Sequence, residues 1–305
     1  MEFNSITLQE AKKAQLKTHP AFTVLMTIVL FMVASFMMFI PITIIKIIRA
    51  ISGQETSIGL DDMGWQLNIL LIIVILTFIF YCRKVENRSP RSMGFTRKGI
   101  VPQYLQGAFL GWFMFSLSLG ICVMIGAMEY KGMVMTASWG MILLWLFSFM
   151  IQGMSEEVMC RGFLMVSLSN RMPMAWAIFI SSVLFSVLHI FNDSISALAI
   201  LNLTLYGVFA ALYFLYTDNI WAVSAHHAFW NWTQGNLYGI EVSGGKLNDT
   251  VWSFVPTAGN DLLNGGSFGL EGGLIETMVL TAAIACLLLI SKKKGNKFSN
   301  NDSIP

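Results

Sequence analysis

Hydrophobic positions along this chain fall in long unbroken blocks, with neither the alternation of a strand nor the single stripe of a surface helix. A polar stretch, residues 1–20, carries Lys12, Lys13 and Lys17 and leads into an apolar run from Ala21 to about Ile48. Further blocks follow at Trp65–Cys82, Tyr104–Met128, Trp139–Ser169, Met174–Phe191, Ile195–Tyr216, Ile220–Tyr238 and Gly273–Ser291. Each approaches or exceeds the ~20 residues a helix needs to cross a hydrocarbon core. The pattern predicts an all-α polytopic membrane protein of about eight transmembrane helices. The first run far exceeds the 7–15-residue core of a cleaved signal, so it reads as an uncleaved span. Residues 1–20 are then an amino-terminal segment, 21–291 the transmembrane domain and 292–305 a tail.

Composition agrees: 55% of residues are hydrophobic and 12% charged, against roughly 25% charged in a soluble domain. Charge adds an orientation. Lys12, Lys13, Lys17, the second loop (Arg83, Lys84, Arg88, Arg91, Arg97, Lys98), Arg171 and the tail (Lys292, Lys293, Lys294, Lys297) fall on one side, fourteen of the nineteen basic residues. Basic residues in short loops stay in the cytoplasm, which places both termini there in a multi-pass protein of the cell membrane. Topology thus explains the positive patches, and they imply no nucleic-acid partner. Cys82, Cys122, Cys160 and Cys286 lie in or at the ends of apolar blocks without CxxC spacing and specify no disulfide or cluster. Nothing in the pattern specifies an oligomer.

One block is interrupted by charge, at Ser155-Glu156-Glu157-Val158-Met159-Cys160-Arg161. An ionisable side chain at bilayer depth costs ~2.5–3.5 kcal/mol or more, so three together need partners or a task. On a helix Glu157 and Arg161 are i,i+4 neighbours and can neutralise each other. That structural pair leaves Glu156, about 100° round the helix, without a partner in its own segment. His189 lies late in the fifth block; His226 and His227 lie in the seventh, with Asn231 one turn beyond His227. Buried polar groups require partners, so Glu156, His189, His227 and Asn231, on three apolar helices, point to one shared polar pocket within 139–239. Glu156 and His189 both sit ~24–26 Å along their helices from the turn at Met172, level with each other. His227 is only ~12 Å into its helix, so the hairpin must project beyond the membrane by ~10 Å. Asn192, Asp193 and Ser194 then end the fifth helix within the membrane and need protein or water to satisfy them.

Glu156-Glu157-x-x-x-Arg161, Phe185-x-x-x-His189 and His227-x-x-x-Asn231 resemble, in order, the three signature motifs of the CAAX-protease and bacteriocin-processing family of intramembrane endopeptidases. The resemblance covers about Leu144–Asn231. It implies that Glu156 is the general base activating water, that Glu157 and Arg161 support it, and that His189, His227 and Asn231 complete the catalytic site; His226 has no place in the motif. It also implies a membrane-associated peptide or protein substrate in the lipid bilayer: a prenylated CAAX protein, a bacteriocin leader, or a target in self-immunity. A carboxylate base suits proton removal from water, and histidine and asparagine N–H groups suit a tetrahedral oxyanion, at ~3–4 kcal/mol per donor. No Ser or Cys is set beside a base as a nucleophile, and Cys160 reads as helix packing.

Two His and a Glu are also the ligand set of a catalytic zinc. If Zn2+ is bound, Glu156, His189 and His227 are its ligands and Glu157 becomes the base, although no His-Glu-x-x-His occurs. The reading favoured here needs no cofactor. Buried Glu, Arg and His also suit a proton-coupled transporter, against which stands the lack of repeat halves or paired broken helices. A noncatalytic immunity or scaffold protein that kept the pocket is the third reading. The loop from about Ile240 to Glu271 carries Trp252, Phe254 and Phe268, candidates for an interface or a cavity cover.

Overall fold

The computed structural model describes residues 5–53, 60–97 and 99–301, the side chains of 60–66 and 293–301 excepted. Its helices are α1 (Ile6–Lys12), α2 (Pro20–Met37), α3 (Phe39–Ile51), α4 (Leu60–Lys84), α5 (Ile100–Met124), α6 (Trp139–Glu157), α7 (Val166–Ser169), α8 (Met174–Val187), α9 (Ala197–Thr217), α10 (Ile220–Trp232), α11 (Asp261–Asn264) and α12 (Leu274–Asn301). Between α6 and α7 the helix continues as a π-helix, Val158–Met165, and after α10 as another, Thr233–Leu237. The all-α polytopic architecture expected from the blocks is present, and the chain is a multi-pass membrane protein. Among the described residues six helical stretches are long and apolar enough to cross a membrane: Pro20–Ile51, Leu67–Lys84, Ile100–Met124, Trp139–Ser169, Ala197–Thr217 and Leu274–Lys292. The other two expected spans are shorter, Met174–Val187 in one case and α10 with its π turn in the other.

Several boundaries move for local reasons. The third block stops at Met124, because Gly126 (φ 74°) turns the chain out of the helix. Met128–Met133 then forms strand β1, which pairs antiparallel with β2 (Trp252–Pro256), a small sheet in the segments between the apolar blocks. The fifth block stops at Val187, and His189 lies in the turns that follow. The eighth continues, so residues 292–301 are helical; 302–305 and 1–4 of the two terminal segments lie outside the described residues.

Helix α10 is the centre. Ten of its thirteen residues are buried, and it packs against α5, α6 and α9. A Cβ added at Gly153 of α6 would stand 2.8 Å from the Ser224 carbonyl and 3.2 Å from His227 Cβ, so glycine sets how closely α6 approaches α10. Helices α8 and α9 meet as closely, with Gly207 against Ser182, and α12 covers α9 and α5. Helices α2 and α3 turn most of their apolar side chains outward, as lipid-facing helices do.

Three of the basic segments expected on one side, the amino segment, the loop after α4 and the Arg171 turn, meet at one end. The Asp218 carboxylate, at the α9–α10 turn, accepts from Ser5 Oγ at 2.5 Å, Ile6 N at 2.7 Å and Thr7 N at 3.2 Å. Arg171 donates to the Lys17 carbonyl at 2.6 Å and Asn170 to that of Ala11 at 3.2 Å. In the loop after α4, Arg88 pairs with Glu86 at 2.8 Å, and Ser167 donates to Glu86. Burial pushes the Glu86 carboxyl up, against the pull of Arg88. The sheet and the 239–272 loop lie at the other end, beside the mouth of the site.

Candidate active site

Glu156 and Glu157 are the last turn of α6, and the two carboxylates have different surroundings. Glu157 is fully buried: its Oε1 accepts from Arg161 NH1 at 3.0 Å and from His227 Nδ1 at 3.0 Å. The expected i,i+4 pair is therefore made, within the π-helix that begins at Val158. Such π segments recur at functional sites because the widened turn re-aims side chains. Arg161 also donates from NH2 to the Gly207 carbonyl at 3.1 Å and lies 4.9 Å from the Phe185 ring centroid. The Glu157 charge is thus neutralised and fixed to α9 and α10.

Glu156 has no cation of its own. Its Oε1 accepts from Gln152 Nε2 at 3.1 Å, while Oε2 is buried without a hydrogen-bond partner, 3.8 Å from His227 Nε2. Because His227 gives its Nδ1 proton to Glu157, the nitrogen it turns toward Glu156 is Nε2. His189 is held in a similar way: its Nδ1 donates to the Phe185 carbonyl at 2.8 Å, which keeps it beside α8 after the helix has ended. A ring anchored through Nδ1 leaves Nε2 for chemistry.

Gln152, His189, His227 and Asn231 line one cavity of about 130 Å³, which also takes in Asn192, Tyr206, Trp230, Ser243, Glu271 and Glu276. Three of the candidate residues thus share one polar pocket, His227 and Asn231 from α10 and His189 from the turns after α8 rather than from a helix as expected. Glu156 borders the cavity through Gln152 and His227 rather than lining it, and Glu157 and Arg161 stand behind His227. His226 points the other way, into Tyr206, Phe209, Tyr213 and Trp230, with ring centroids 4.8–6.1 Å away. Cys160 is fully buried, as a packing residue would be, and Cys82, Cys122 and Cys286 are likewise free thiols. The polar end of the fifth block finds the partner it needed, since Asn192 Nδ2 donates to the Ser243 carbonyl at 3.0 Å. The 240–245 stretch thus covers the cavity. Trp252 stacks on Tyr238 and Phe254 packs edge-on to the same ring, while Phe268 is buried.

Among the described residues no three His, Cys, Asp or Glu side chains converge closely enough to hold a metal ion. As the side chains stand, Glu156, His189 and His227 do not form the three-ligand set that a catalytic zinc takes.

Among the lining residues that escaped the sequence reading are Gln152, Glu276, Tyr206 and Trp230. Gln152 carries a signal, being i−4 from Glu156 on the same helix face. Glu276 carries a plainer one: it is an acid inside an apolar block, the same anomaly that singled out Glu156. Tyr206 and Trp230 carry none, for aromatic residues abound in every span.

The fold and the site define a multi-pass helical membrane protein with a polar pocket enclosed by α6, α8, α9, α10 and α12. Residues 138–233 match the family model described as "Type II CAAX prenyl endopeptidase Rce1-like". The resemblance read from the three motifs is borne out over that segment, which contains all six candidate residues. No curated protein and no solved structure matches the chain.

Proposed function

We propose that this protein is an intramembrane endopeptidase that hydrolyses a peptide bond of a membrane-associated peptide, with Glu156 as general base. The observation that carries the reading is the division of labour between the two carboxylates. Glu157 is tied through Oε1 to both Arg161 and His227 and stands behind the His227 ring, whereas Glu156 has no cation and borders the cavity beside Gln152 and His227; the Oε2 of each carboxylate is buried without a hydrogen-bond partner. A structural ion pair accounts for Glu157 and Arg161 but gives Glu156 nothing to do.

In the proposed step Glu156 Oε2 takes a proton from water as the oxygen adds to the scissile carbonyl carbon. The charge that develops on the carbonyl oxygen is met by the Asn231 amide N–H. The proton held by Glu156 then passes to the leaving amine as the C–N bond breaks. Gln152 orients the carboxylate; Glu157 fixes the His227 ring. The substrate class is a CAAX-type protein or a leader-type peptide embedded in the bilayer, with processing or self-immunity as its setting. The cell membrane, with both termini in the cytoplasm, is the proposed location, supported by the clustering of the amino segment, the Arg171 turn and the Asp218 turn at one end.

The reading is tested by incubating purified protein in bicelles with prenylated CAAX-type, leader-type and single-span peptides, and locating new termini by mass spectrometry. Cleavage of at least one class, unchanged by a strong chelator, is the expected result. If every class stays intact the protease reading fails, and if the chelator abolishes cleavage the metal-free step fails.

A further inference from the structure

The catalytic step leaves one buried acid of the cavity unused. Glu276, in the first turn of α12, is 1% exposed and lines the cavity on the side away from the Glu156 helix. Its Oε2 accepts from Ser118 Oγ at 2.8 Å, and its Oε1 is buried with no partner. The neighbouring acid, Glu271, is in the opposite condition. It accepts from Trp230 Nε1 at 3.2 Å and from Ser243 N and Oγ, each at 2.8 Å, so it serves to tie the covering loop to α10. Among the described residues no Lys or Arg lines this cavity. Arg161, in the π-helix that follows α6, is committed to Glu157 and Gly207.

We infer that the cavity contains a second, cation-binding subsite built on Glu276 Oε1 and Ser118, which takes a lysine or arginine side chain of the peptide substrate. This rests on the protease reading above and gives it a specificity. A carboxylate taken out of water with a single neutral donor is under-satisfied, and a charge-assisted hydrogen bond from an incoming ammonium or guanidinium is the partner that completes it. Such a site also discriminates. A peptide that presents a neutral group leaves Glu276 unpaired, while one that presents an acid sets two carboxylates together. Because Glu276 faces the pocket that holds His227 and Asn231, a side chain seated on it fixes which peptide bond lies over the Glu156 side.

The test separates binding from chemistry. In the Glu156→Gln protein, which does not depend on turnover, matched single-span peptides carrying Lys, Gln or Glu at one position are compared by fluorescence anisotropy, the position being scanned along the peptide. At one position Lys is expected to bind at least tenfold tighter than Gln, and Gln tighter than Glu; equal affinities at every position would overturn the subsite. In the Glu156→Gln/Glu276→Gln double variant the Lys preference is expected to shrink to within about twofold, and its survival would overturn the assignment to Glu276. A Lys preference that is present while no peptide is ever cleaved by the wild type would uphold the subsite and sink the protease reading alone. Should the double variant not fold, the scan in the Glu156→Gln protein still decides.

Discussion

At the scale of single residues the site depends on how each carboxylate is partnered. Glu157 and Arg161 are fully buried, and Arg161 answers both the carboxylate and a carbonyl of α9. Removing one member of a buried pair strands the other charge, at ~3–5 kcal/mol. Arg161→Met is therefore expected to destabilise the protein by about that amount in a detergent unfolding titration; a loss under ~1 kcal/mol would contradict the pairing. Gln152 tests a different link. It donates to Glu156 Oε1 from one turn away, and a hydrogen bond to a charged group is worth ~1.5–3 kcal/mol. Gln152→Leu should lower kcat/KM by about tenfold to a hundredfold while the unfolding midpoint moves little. An unchanged kcat/KM would show that Glu156 needs no orienting.

At the scale of elements, function requires that α6, α8, α9 and α10 approach closely enough to share a pocket. Gly153 is where that spacing is set between α6 and α10, with no room for a side chain beside the Ser224 carbonyl and His227. Gly153→Ala should cost ~1–3 kcal/mol as overpacking and displace His227 from Glu157. The check is a joint fall in stability and kcat/KM, and a variant with wild-type values for both would refute the tight crossing. The helices themselves were legible in the apolar blocks, since a block's length directly measures whether it can cross a bilayer. The Trp139–Ser169 block was matched end to end. The π-helices at Val158–Met165 and Thr233–Leu237 were not legible, although they begin just after Glu157 and Asn231. Hydropathy does not register a change from i→i+4 to i→i+5 bonding. Strand β1 fell between two blocks, touching the third only at Met128, and its mixed sequence Met-Glu-Tyr-Lys-Gly-Met is too short and too polar for hydropathy to register. Among the candidate residues, the charged and histidine positions stood out because they are costly in an apolar helix. Tyr206 and Trp230 did not, because an aromatic residue reveals its hydroxyl or indole partner only in three dimensions.

At the scale of the whole molecule, the two ends differ in character. The amino segment, the Glu86–Arg88 loop, the Arg171 turn and Asp218 meet at one end; the β1–β2 sheet and the 240–272 loop close the other. With the basic end in the cytoplasm, single cysteines introduced at Lys17 or Arg171 should react with a membrane-impermeant maleimide only after the membrane is opened. Cysteines at Lys131 or Lys246 should react in intact cells. The reverse pattern would invert the proposed topology, and with it the side from which substrate reaches the cavity. The chemistry itself turns on one group, the Glu156 carboxylate, as the base that activates the water. The most direct measurement is kcat/KM of Glu156→Gln against wild type on the best-cleaved peptide, with folding matched by thermal unfolding. General base catalysis contributes ~10²–10⁴-fold, so a loss of at least that size is predicted; a Glu156→Gln protein that cleaves at the wild-type rate would show that the water is activated elsewhere.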